Sequence, residues 1–216
     1  VTYPVARTRD EALLYLDLHP CECGSMETDW EKSTITDAGG LAARYGGACA
    51  ECGAEREYTF ALPNRETFPK GWPTYGGAEP SQLLDAGEWL LVSDRVASNV
   101  PPDAENAGHA LSMARAAVEE VLKFIPEDQE RVPDHGFWTE RGVEFREVEP
   151  GRFRRERLEV VRDTYLDLHR ELNRAPRPDQ SPAPDQDASQ DRGQDAPQDK
   201  RQGEDAPQDK RQDEEG

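Results

Sequence analysis

Four cysteines, Cys21, Cys23, Cys49 and Cys52, fall within 32 residues of a 216-residue chain that has no others. They form two close pairs, Cys21-Glu-Cys23-Gly24 and Cys49-Ala-Glu-Cys52-Gly53. Thiolate is a soft ligand, and two such pairs on separate turns can close a tetrahedron around one ion. That chemistry suits zinc rather than magnesium or calcium. Four sulfurs leave no position for a substrate, so the expected role is structural. The glycine after each pair accepts the positive φ of a chain that must fold back sharply. Disulfides and an iron–sulfur cluster are the competing uses of four cysteines. A reducing compartment disfavours disulfides, and a bridge within C-x-C is strained. His19, two residues before Cys21, reads as an ordinary histidine or as one that orients a ligand.

The elements that must position these sulfurs are legible nearby. Trp30–Thr36 reads as a strand, Asp37–Gly40 as a turn and Leu41–Tyr45 as the return strand. After the second pair, Arg56, Tyr58, Phe60 and Leu62 alternate with Glu57, Thr59 and Ala61, the period of a half-buried strand that Pro63 ends. With the order knuckle, hairpin, knuckle, strand, the segment Cys21–Leu62 resembles the zinc-ribbon class of metal-binding modules. The resemblance implies a small three-stranded sheet clamped by one Zn2+ on Cys21, Cys23, Cys49 and Cys52. It departs from the usual pattern in its first pair, which is C-x-C and not C-x-x-C.

Beyond the ribbon the periodicity turns helical. Thr8-Arg-Asp-Glu11 has the form of a capping box ahead of Ala12–Leu18, a run that could form a helix or a strand. A second box, Asp85-Ala-Gly-Glu88, opens a helix through Ala97. Asp103 caps a long helix over about 104–125 with Leu111, Ala114, Val118, Val121, Leu122 and Ile125 on one stripe. Residues 137–149 alternate loosely around Gly142 and suggest a short hairpin. A final helix over 152–172 should turn Phe153, Leu158, Val161, Tyr165, Leu168 and Leu172 inward. Arg152, Arg154, Arg155 and Arg157 crowd its N-terminal end, where the helix dipole disfavours cations. They either neutralise acidic neighbours in the fold or contact a partner's anionic group. The pairs Gly39-Gly40, Gly46-Gly47 and Gly76-Gly77 read as turns.

Composition bounds the rest. The formal net charge is −19. Residues 174–216 have no apolar side chain larger than alanine and repeat a ten-residue unit, Asp195–Glu204 and Asp205–Glu214; they are expected to be disordered. With 12 acidic and 7 basic residues, they carry −5 and leave −14 on residues 1–173. The expected organisation is a zinc-ribbon-like unit over 1–77, a mainly helical part over 78–173 and the tail, in an α+β architecture. Motifs for nucleophilic, phosphate-binding or metalloprotease chemistry are absent, as is a leader or a membrane-length apolar run, so a cytoplasmic, non-enzymatic protein is expected. Acidity disfavours direct nucleic-acid or membrane binding and points to a basic protein partner. The leading function is an acidic interaction module, such as an inhibitor or immunity-type protein for a basic target. The alternatives are a zinc-ribbon component of a transcription or translation assembly and an enzyme with catalytic zinc, which requires one cysteine to be a non-ligand. Oligomeric state is not indicated.

Overall fold

Thr8 opens the first element. Its hydroxyl accepts the Glu11 N–H at 3.1 Å and starts helix α1, Arg9–Leu18, so the run left open by periodicity is a helix. The structure, a computed structural model, describes residues 3–37, 40–63 and 73–174. The expectation for the repeat-bearing tail lies outside those residues, apart from Arg174 at the end of the last helix. So do residues 38–39 of the hairpin turn.

Three strands follow α1: β1 Glu31–Asp37, β2 Gly40–Ala48 and β3 Glu55–Ala61, antiparallel in the order β1-β2-β3. Asp37 pairs with Gly40, and Tyr45 pairs with Tyr58. The alternation read in β3 sets one face: Tyr58, Phe60 and the cross-strand partners Tyr45 and Ala43 turn toward α1, where Tyr15 meets Phe60 edge-on at 5.4 Å. Gly46 and Gly47 are not a turn but residues of β2. A Cβ on Gly47 would lie 2.3 Å from the Asp29 carbonyl oxygen, so glycine there marks close backbone approach.

Helices complete the body: α2 Ala86–Ala97, α3 Ala104–Leu122, α4 Glu140–Val148 and α5 Arg155–Arg174. With the antiparallel sheet they make the α+β architecture expected. α3 packs against α2 and α5, and α2 also packs against α4. Both halves of the Asp85 capping box are formed. One apolar cluster runs from Leu16 and Phe60 through Trp89 and Val118 to Phe153 and Leu158, so sheet and helices share a core.

Residues 137–149 form no hairpin. Thr139 accepts the Gly142 N–H at 3.0 Å and caps α4, and the buried Asp85 carboxylate accepts from the Trp138 and Thr139 N–H groups and the Thr139 hydroxyl. Gly142 lies against Gly87 of α2, where neither residue has room for a side chain. The glycine that suggested a turn is a helix–helix contact. Leu168 also departs from expectation, remaining 43% exposed.

Candidate metal centre

Each knuckle closes on its own first cysteine. Cys21 N–H donates to the Ser25 carbonyl at 2.8 Å, and Gly24 N–H returns to the Cys21 carbonyl at 2.7 Å. In the second, Cys49 N–H donates to Ala54 at 2.9 Å and Gly53 N–H returns to Cys49 at 2.8 Å. The two turns differ by the one residue that separates C-x-C from C-x-x-C. Gly24 and Gly53 have φ of 90° and 72°, the left-handed conformation expected after each pair. The Ala50 N–H to Glu27 carbonyl bond and the bridge between Thr28 and Cys49 join the knuckles through the start of the sheet.

This geometry brings all four sulfurs within 4.8 Å of one another. Two pairs cross between knuckles, Cys21 Sγ to Cys52 Sγ at 3.6 Å and Cys23 Sγ to Cys49 Sγ at 3.7 Å. A tetrahedron with metal–sulfur bonds of about 2.3 Å has edges of about 3.8 Å. The set therefore fits one tetrahedral ion. All four cysteines are free, far from the roughly 2 Å of a disulfide. A polynuclear iron–sulfur cluster spreads its cysteines over separate irons, whereas these sulfurs converge on one point. Cys21 and Cys49 are buried, and Cys23 and Cys52 are exposed.

The sulfurs also tune one another. N–H donation from Cys52, opposed by burial and reinforced by Glu51 and the neighbouring thiols, pulls the Cys49 thiol down to about 6. At Cys52 the Ala54 N–H lowers the value, but hydrogen bonding with Cys23, Cys21 and Cys49 outweighs it, and the thiol is pushed up to about 12. One thiolate forms readily while a crowded neighbour resists, and a bound cation removes that conflict.

His19 is not in the converging group. Its Nδ1 lies 2.7 Å from the Tyr15 carbonyl, and its ring stacks on Tyr15 at 3.9 Å. The residue that sequence reasoning missed is Arg56. Its guanidinium lies 4.8 Å from the Trp30 ring centroid, donates to Thr28 Oγ1 at 2.9 Å and also donates to the His19 carbonyl. It ties the approach to the first knuckle to the sheet. Its inward place in the period-2 pattern was the available signal, since a lone arginine there needs a partner.

The arginines at the start of α5 separate into two roles. Arg152 forms a two-pronged pair with Asp94 of α2, both contacts at 2.6 Å. Arg155 donates to the Ile125 and Pro126 carbonyls at 3.1 and 2.9 Å, just beyond α3. A cation misplaced on its own helix thus serves carbonyls of the turn that follows another. Arg154 and Arg157 are exposed. No helix among the described residues is long and apolar enough to cross a membrane. The chain matches no family model, no curated protein and no solved structure.

Proposed function

We propose that this protein is a non-enzymatic, acidic interaction module whose sheet is held by one structural zinc in a ribbon-like arrangement of Cys21, Cys23, Cys49 and Cys52. The observation that carries the metal reading is the convergence of four sulfurs, with inter-knuckle separations of 3.6 and 3.7 Å. Among divalent ions, zinc combines thiolate affinity with tetrahedral geometry. Bound there, it neutralises the crowded thiolates and joins the two turns. The residues themselves shape the site: Gly24 and Gly53 fold the turns, backbone N–H groups support the sulfurs, and Arg56 braces the approach. Protein ligands fill all four positions, which favours support over catalysis.

The surface reading rests on charge. Residues 1–173 carry −14, and Arg152 and Arg155 are turned to internal acceptors. A basic protein, such as the cationic face of a toxin or nuclease covered by an inhibitor, is the partner class this exterior fits. A nucleic-acid-linked role is less favoured, because two of the four clustered arginines are already engaged.

Metal analysis of the purified chain should give about one zinc per molecule, and Cys49→Ser should lose it. Metal-free protein with an unchanged melting transition would refute the structural zinc. Affinity capture should recover basic partners whose association weakens as salt rises. Specific partners that are all acidic or neutral would refute the surface reading while leaving the zinc intact.

A further inference from the structure

α5 packs on α3 through a face marked by buried Leu158 and half-buried Val161 and Tyr165. Bordering that face, it exposes Val160 at 52% and Leu168 at 43%. At about 100° per residue, Arg157, Val160, Thr164, Leu168 and Glu171 lie within roughly 40° of one line along the helix. All five are exposed. Their order is symmetric about Thr164: Val160 and Leu168 stand four residues to either side, Arg157 and Glu171 seven.

The details suit this stripe to contact. The Thr164 hydroxyl donates to the Val160 carbonyl at 2.7 Å, so it is satisfied within the helix. Asp167 and Asp163, beside the stripe, are paired with Arg170 at 3.1 Å and Arg162 at 2.8 Å. Arg157 and Glu171 join no ion pair among the described residues. α5 holds five arginines and five acidic residues, a formal charge of zero in a chain of −19. Two acidic copies can approach along it with little repulsion, whereas it gives a basic partner no net attraction.

We propose that α5 is a self-association surface, two copies of the chain meeting antiparallel about a two-fold axis at Thr164. The axis sets Val160 against Leu168 of the second copy and Arg157 against its Glu171, each contact made twice. Two apolar side chains per copy are few beside the roughly 1,200–2,000 Å² of a stable interface, so the dimer is reversible, in the micromolar range.

Sedimentation equilibrium of the full chain from about 5 to 500 μM should show a monomer–dimer equilibrium. Leu168→Arg should raise the dissociation constant at least about tenfold, burying an unpaired charge at each of two symmetric contacts. Arg157→Glu and Glu171→Arg should each weaken the dimer, and the double reversal should recover it to within roughly threefold. Circular dichroism checks that these surface variants stay folded. Monomer throughout the range would overturn the proposal. So would a dimer indifferent to Leu168→Arg, or a double reversal weaker than both singles.

Discussion

Asp85 and Glu88 belong to one capping box but meet different surroundings. Asp85 is fully buried and accepts from Glu88, Trp138 and Thr139. Glu88 accepts the Asp85 N–H at 3.2 Å; burial, with repulsion from the Asp85 carboxylate, pushes it up to about 7 against partial relief from that N–H and Arg141. A carboxyl raised on folding contributes its stability below the unfolded value near 4.3 and loses it as pH rises through about 7. Glu88→Gln cannot ionise and should gain melting temperature relative to the parent between pH 5 and 8. A pH-independent difference between the two would contradict this. The box spacing was visible in the sequence, but the titration was not, because it depends above all on burial and also on Arg141 brought near by the fold. The cysteine spacing likewise named the four converging sulfurs, while the bracing by Arg56 needed the sheet to bring Trp30, Thr28 and His19 together.

At the scale of elements, local signals placed α2, α3 and the three strands, and left the α1 run open between helix and strand. The weak alternation at 137–149 misled, since Gly142 serves a contact and not a turn. A Cβ on Gly87 would stand 2.4 Å from the Gly142 Cα, backbone against backbone, with no flexible side chain to yield. Gly87→Ala should therefore destabilise by about 1–3 kcal/mol, read as a lower urea midpoint. An unchanged midpoint would mean that α4 can move away without cost. α5 shows a related limit: periodicity counted Leu168 with the inward residues, but the contact with α3 leaves it exposed.

For the whole molecule, the shared core would link an ion held by the four cysteines to more than its own loops. Tyr45 and Phe60 belong to the same cluster as Trp89 and Val118, so loosening the knuckles loosens one wall of that core. Stripping with a chelator should remove the sheet's contribution to circular dichroism and lower the melting temperature of the remaining helices. Re-addition of zinc should restore both. A cooperative transition at the original temperature after complete stripping would show that the core holds the sheet unaided. Acidity acts at this scale too: residues 1–173 carry −14, while α5 is formally neutral.

Residue type and spacing alone determined the four sulfurs, their glycine turns, the capped helices and the alternation of β3, because each depends on contacts within a few positions. Only the tertiary structure decided that Arg155 holds the carbonyls just beyond α3, that Gly87 and Gly142 meet, and that Leu168 faces out. Those outcomes depend on which surfaces distant segments bring together.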